Sequence, residues 1–318
     1  LLEDGIVVQA AVIINRQAGK MRRDPELAEH IRRHCKSRVQ LHVTANHQEL
    51  TEAAHAIARS GVGTVGILGG DGSISYALTA LARAHGDKAL PHIALLRGGT
   101  MNTIAASLGI RRRRPSALLA RMLDAVYNQE RPATRQRPCM QVGEQLGFLF
   151  GTGVWYGYLA ESYADGQPTR FTNAAVLGRL LASAAIGGKT YRRVRAPQRV
   201  LLRSSEGDWE TREYLTVAAG TVRDAGFGFR PFQRAFEHDD RFQLLAVKAG
   251  PWAVLRDLPG LHLGRSLRPS TAYDACASWA ELSTENGQPF GYSVDGEIAT
   301  AQGPLRIELG PLITFLRL

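Results

Sequence analysis

Up to about residue 130 the chain alternates between two kinds of hydrophobic pattern. Uninterrupted or alternating apolar runs at 6–14, 39–43, 65–68 and 92–96 have the length and β-branched content of strands. Between them apolar residues recur every three or four positions. Leu27 and Ile31 mark a helix over 26–35, Leu50, Ala54 and Ile57 one closed by Gly61, and a third covers 74–84. A short helix over 102–108 ends at Gly109, and Pro115 opens another that reaches Tyr127. Such alternation predicts an α/β domain: a parallel sheet covered by helices, with ligands bound at the carboxyl ends of the strands.

Beyond Pro132 the texture changes to shorter, evenly spaced strands separated by Gly, Pro and Asp, which predicts a β-rich second domain. A single helix over 173–186 interrupts it, apolar almost throughout apart from Arg179. Core packing is the ordinary reason for such a helix; a wall for an apolar substrate is the other. The strand at 305–309 and the apolar tail after it can return to either domain. The expected division is therefore 1–131 with a C-terminal return over 308–318, and 132–307.

A chain of 318 residues can bury the cores of two such domains. Cys35, Cys139 and Cys276 are far apart and odd in number, giving neither a disulfide framework nor a metal-binding pair, and a reducing, cytoplasmic setting is expected. No run reaches the roughly 18 to 20 apolar residues needed to span a bilayer, and the first residues lack a signal core, so the protein is expected to be soluble or peripheral. A formal net charge of +10 calls for an acidic partner. The basic residues cluster at Arg111, Arg112, Arg113 and Arg114, and at Arg192, Arg193, Arg195 and Arg199. Neither cluster carries interleaved stacking aromatics or a recognition motif, so nucleic acid is not the expected partner. A solvated face and an anionic membrane patch remain as readings.

Candidate chemistry sits at three strand-to-loop junctions. After the third strand the chain reads Gly69-Gly70-Asp71-Gly72-Ser73, where the glycines leave no Cβ to obstruct a ligand. Ser73 is placed to cap a helix beginning near Ile74, whose first N–H groups can face an anion. A carboxylate beside phosphate is repulsive unless it holds a metal or a proton, so Asp71 points to phosphate chemistry. Residues 15–20 (Asn-Arg-Gln-Ala-Gly-Lys) follow the first strand and 97–102 (Arg-Gly-Gly-Thr-Met-Asn) the fourth. Three such loops on one parallel sheet predict a nucleotide site, with Lys20 and Arg97 supplying charge, Thr100 and Asn102 hydrogen bonds, and Thr44 ending the second strand.

Two other glycine patterns fail on context. Gly61, Gly63 and Gly66 precede a strand instead of opening a helix, and residues 187–190 (Gly-Gly-Lys-Thr) follow a helix with Ser183 where a Walker loop needs glycine. His30 and His34 share a helix face without further ligands, which reads as a solvated surface. In the second domain, residues 293–297 (Ser-Val-Asp-Gly-Glu) place Asp295 and Glu297 about a glycine. They suit metal binding and proton abstraction from an alcohol, or simply an Asp-Gly hairpin turn.

Taken in order, Asn15-x-x-x-Gly19, the Gly69–Ser73 loop, residues 99–105 (Gly-Thr-Met-Asn-Thr-Ile-Ala) and Asp295-Gly296-Glu297 resemble the diacylglycerol kinase catalytic-domain family, which includes bacterial lipid kinases, sphingosine kinases and ceramide kinases. Gly-Gly-Asp-Gly alone also occurs in NAD kinases, whose nucleotide domain is of similar topology; the two later elements separate the lipid kinases. The resemblance implies a β-sandwich second domain and an ATP- and Mg²⁺-dependent transfer of the γ-phosphoryl group to a lipid hydroxyl. It matches Asn15, Thr44, Gly69 to Ser73 and Thr100 to nucleotide contacts and Glu297 to the proton acceptor, with Asp295 beside the transferring phosphate. Asp71 shares the metal or base role in this comparison, and the division among the three acids stays open.

The chain departs from the family in three places: Met101 and Thr103 replace a glycine and an acid, Arg16 replaces a proline, and Asp240 stands where a magnesium-binding Asp-Gly loop has glycine. Asp239 is accordingly a metal candidate beside Asp295. The resemblance implies a diacylglycerol, sphingoid base or ceramide class acceptor, and the basic surface is expected to favour docking on an anionic membrane. A soluble-acceptor kinase of the NAD-kinase type and a lipid-binding module without turnover are the competing readings.

Overall fold

The computed structural model describes residues 9–24, 26–35, 39–128, 133–164, 166, 169–195 and 199–318, without the side chains at 28, 30, 34 and 170. The predicted strand positions 6–8, the face carrying His30 and His34, and the expected boundary at 131/132 lie outside the described residues. The chain forms two units, one of Leu1–Arg137 with Leu312–Leu318 and one of Pro138–Pro311.

In the first unit, β1 (Ala10–Asn15), β2 (Val39–Thr44), β3 (Thr64–Leu68) and β4 (His92–Leu95) alternate with six helices, α1 (Gly19–Arg23), α2 (Glu26–His34), α3 (His47–Ser60), α4 (Asp71–His85), α5 (Thr103–Ser107) and α6 (Pro115–Tyr127). The strands run parallel in the order β2-β1-β3-β4. β1 and β3 are buried on both faces because helices cover both, which is why they read as unbroken apolar runs. Local chemistry sets the helix ends. Asn46 caps α3 by accepting from Glu49 N at 2.9 Å, the Glu49 carboxylate returns a bond to Ala45 N at 2.7 Å, and Gly61 closes the helix in the left-handed region at φ 67°.

The second unit begins within β5 (Thr134–Val142). It continues through β6 (Gln145–Gly147), β7 (Leu149–Thr152), α7 (Val154–Tyr163), α8 (Arg170–Ala185), α9 (Lys189–Arg195), β8 (Arg199–Ser204), β9 (Gly207–Glu213) and β10 (Thr216–Gly220). A 3-10 turn at Gln233–Phe236 precedes β11 (Phe242–Val247), α10 (Pro251–His262), β12 (Ala272–Ala277), β13 (Trp279–Thr284), β14 (Phe290–Val294), β15 (Glu297–Ala301) and β16 (Leu305–Leu316). An antiparallel sheet in the order β12-β11-β10-β7-β14-β15 faces the strands β9, β8, β13 and the first half of β16. Phe150, Val217, Leu244 and Phe290 from one layer pack with Leu202, Ala280, Leu282 and Ile307 from the other, forming the core of the predicted β-sandwich. The end of β16 belongs to the first unit, where Phe315 pairs in parallel with Ile93 of β4.

The sequence pattern predicted one helix in this unit, and the described residues hold four. α7 was missed because Trp155, Tyr156 and Tyr158 carry strand propensity and its half-buried positions leave no polar stripe. Its clearest signal lies elsewhere: Gly151 in β7 and Gly291 in β14 have no Cβ because the rings of Trp155 and Tyr156 occupy that space. In α10 the internal Pro259 interrupts the helical pattern. α8 begins three residues before the predicted helix, at a capping box formed by Thr169 and Thr172.

Candidate functional site

The strand order of the first unit reverses between β1 and β3, and loops leaving the carboxyl ends of strands on either side of such a point form a crevice. Asn15 ends β1 opposite Thr44 of β2. Its amide Nδ2 donates to Ser73 Oγ at 2.7 Å, and its Oδ1 accepts from Gln17 N at 2.8 Å, so one side chain shapes its own loop and ties it to the next. Thr44 Oγ1 points back to Ile14 O at 3.4 Å. The structure corrects the capping expectation for Ser73: α4 starts at Asp71 with Gly70 as its cap residue, and Ser73 instead serves as the acceptor for Asn15.

The second and third loops lie against each other at van der Waals distance. A Cβ on Gly99 would overlap the Cα of Gly70, and one on Gly98 would come within 3.0 Å of Gly69 N, so this approach is open only to glycine. Gly19 carries the first loop into the same place, where its missing Cβ would meet Thr100 Oγ1 at 3.1 Å, and Lys20 N donates to Gly98 O at 3.0 Å. Asn102 adopts a left-handed conformation at φ 53°, and its amide pairs in both directions with Gly99, accepting from N at 3.1 Å and donating to O at 2.7 Å.

Asp71 joins the loops from below. Its carboxylate accepts from Thr103 N at 2.9 Å and Ile104 N at 3.0 Å, occupying the first free amides of α5. Burial pushes this carboxyl above its ordinary value, against the pull of those hydrogen bonds and of Arg97. Arg97 is itself 9% exposed and donates to Ile110 O at 2.6 Å. Lys20 has its pKa lowered by burial, by Arg97 and by Arg112. Lys20, Arg97 and Arg112 are thus within electrostatic reach of one another, beside one carboxylate already committed to backbone amides, a balance that favours an anion. The sequence reading had Lys20 and Arg97 here; Arg112 was read only as part of a basic run, since nothing in its spacing shows that the turn after α5 returns it to this place.

In the second unit, Asp295 and Gly296 form a two-residue hairpin between β14 and β15, both with positive φ, at 49° and 90°. Asp295 is buried. Its carboxylate accepts from Phe148 N at 3.2 and 3.0 Å and from Leu149 N at 2.9 Å, while Asp295 N donates to Leu149 O at 2.9 Å. The acid therefore holds the turn against the start of β7. Glu297, half-buried, is the first residue of β15 and pairs with Val294. Asp239 is exposed in the turn before β11, where the described residues gather potential ligand atoms two and one positions earlier, at Glu237 and His238, together with Cys276 of β12.

Residues 9–130 match the family described as diacylglycerol kinase catalytic domain. No curated protein matches the sequence. Among solved structures, a diacylglycerol kinase from Bacillus anthracis str. Sterne is 17% identical, with a TM-score of 0.64 over 98% of this chain and 97% of that one. A second from the same strain, described as a candidate diacylglycerol kinase, is 18% identical with a TM-score of 0.69 over the same shares. At these identities the structures establish a shared fold, and the sequence match makes residues 9–130 similar to the catalytic domain of diacylglycerol kinases.

Proposed function

We propose that the protein is an ATP-dependent lipid kinase that transfers the γ-phosphoryl group to a hydroxyl of a diacylglycerol, sphingoid base or ceramide class lipid. The observation that carries this reading is the close packing of three glycine loops at the switch point of the first sheet, with Lys20 and Arg97 in those loops and Arg112 within electrostatic reach of both. These loops suit a nucleotide: backbone approaches closely where a Cβ would obstruct, and cationic charge is in excess. ATP would lie along Asn15, Gly19, Thr44, Gly69 to Ser73 and Thr100, supplying the phosphoryl group. Lys20 and Arg97 hold phosphate oxygens and disperse the charge that grows on them during transfer.

Asp71 and Asp295 anchor a helix start and a turn through backbone amides, and Glu297, half-buried at the start of β15, is the residue we assign to accept the proton of the attacking hydroxyl. Neither anchored carboxylate presents the open oxygen set that Mg²⁺ demands, so no step is placed on a magnesium held by the protein alone.

The helical layer of the second unit supports a lipid acceptor. Leu180 and Ala184 of α8 pack with Tyr158 of α7, Tyr191 of α9 and Leu255 of α10, yet α8 turns Phe171, Ala174, Ala175, Gly178 and Ala182 outward. Phe171 and Ile186 at its two ends are 86% and 83% exposed, and Trp252 of α10 is 66% exposed. Arg179, Lys189 and Arg192 are also exposed there, so an anionic lipid surface matches the face in both polarity and charge.

The test is transfer of labelled γ-phosphate from ATP to diacylglycerol, sphingosine, ceramide and a total lipid extract in mixed micelles, beside Glu297→Gln. A labelled lipid formed by the wild type and not by the variant is expected. Labelling of a water-soluble acceptor alone would overturn the lipid assignment.

A further inference from the structure

We propose that Glu237, His238 and Cys276 form a binding site for a divalent transition metal of the zinc class in the second unit. One oxygen, one nitrogen and one sulfur of these residues lie within 4.8 Å of one another. A tetrahedral ion with bonds of about 2.0 to 2.3 Å holds its ligand atoms about 3.5 Å apart. Only a small inward turn of the side chains is needed, and Glu237 and His238 are exposed and can make it. Cys276, on the edge strand β12, is 6% exposed and supplies the fixed corner.

The donor set decides the metal. Thiolate and imidazole are ligands for zinc, cobalt and related ions, whereas Mg²⁺ requires oxygen. The surrounding charge is compatible with a cation. Arg234 is engaged by Glu237 at 3.0 Å and Asp274 at 3.4 Å, and Arg241 by Glu206 at 2.6 Å, leaving three carboxylates against two guanidinium groups. Asp239 and Asp240 follow directly in the chain. Binding displaces the thiol proton to solvent, and three protein ligands leave a fourth position for water. The ion would fasten the turn after the 3-10 segment to the outer edge of the sheet, across β11.

Co²⁺ titration of metal-free full-length protein tests this, because a cobalt–thiolate bond gives a charge-transfer band in the near ultraviolet and tetrahedral cobalt a strong visible spectrum. The expected result is a saturable one-equivalent band, reversed by Zn²⁺, absent in Cys276→Ser, retained in Cys35→Ser, and weakened by more than about tenfold in affinity in His238→Ala. Absence of the band at saturating Co²⁺, or its persistence in Cys276→Ser, would overturn the proposal. Should Cys276→Ser fail to fold, the exposed His238→Ala carries the test, and unchanged affinity there would equally overturn it.

Discussion

The backbone amides held by Asp71 and by Asp295 give both acids a structural duty that the sequence did not disclose. Asp71→Ala leaves the amides of Thr103 and Ile104 without their acceptor, and Asp295→Ala does the same to Phe148 and Leu149, so each is expected to lower unfolding free energy by about 2 kcal/mol in urea titrations. Glu297→Gln, which keeps the size of the side chain, is expected to cost turnover more than stability, with turnover reduced by about 10²- to 10⁴-fold and a smaller shift of the urea midpoint than either alanine variant. Equal loss of stability in all three would remove the distinction. Lys20 provides a pH test. Since burial and the neighbouring arginines lower its folded pKa, the free protein gains stability as pH rises through that value toward the ordinary lysine range, and carries the cost of the charged form below it. A bound polyphosphate restores the charge, so nucleotide binding should take up protons and weaken as pH passes the lowered value. Calorimetry in two buffers of different ionisation enthalpy would show this uptake, and Lys20→Met should abolish it.

At the scale of elements, the first unit was legible because each strand buried on both faces is a run of apolar residues and each helix carries its own caps, as Asn46 and Gly61 illustrate. The glycine loops were legible for a related reason: only close backbone approach requires Gly69, Gly70, Gly98 and Gly99 in succession. The helices of the second unit were not. α7 is recorded in the glycines of the strands beneath it, a signal that exists only once the pairing of β7 with β14 is known. α8 explains its own ambiguity, since one side packs as a core helix does while the other is apolar and outward. Changing Phe171, Ile186 and Trp252 together to Ser should therefore reduce cosedimentation with anionic vesicles and leave turnover on a short-chain, micelle-borne lipid nearly intact. Equal loss in both assays would indicate a folding defect instead of lost docking.

For the whole molecule, a net charge of +10 operates over a distance that salt can shorten. Each basic residue near an anionic surface contributes on the order of 1 kcal/mol, so vesicle-bound turnover should fall steeply between low and moderate ionic strength while ATP affinity changes far less. A flat salt response on phosphatidylserine vesicles would place the excess charge elsewhere. Of the cations near the loops, Lys20 and Arg97 were legible because each sits in a loop that leaves a strand end, whereas Arg112 was not, because only the turn following α5 brings it near them.

β16 gives the order of the chain a meaning in time. Its last residues complete the sheet of the first unit, yet they are synthesised only after the entire sandwich. On the ribosome, β4 must wait with its outer hydrogen-bonding edge unpaired while more than half of the chain is still being made. A fragment stopped at Arg137 should therefore expose that edge and self-associate, and adding residues 312–318 in trans should suppress the association. Birth order thus leaves the first unit to be finished only after the second has been made.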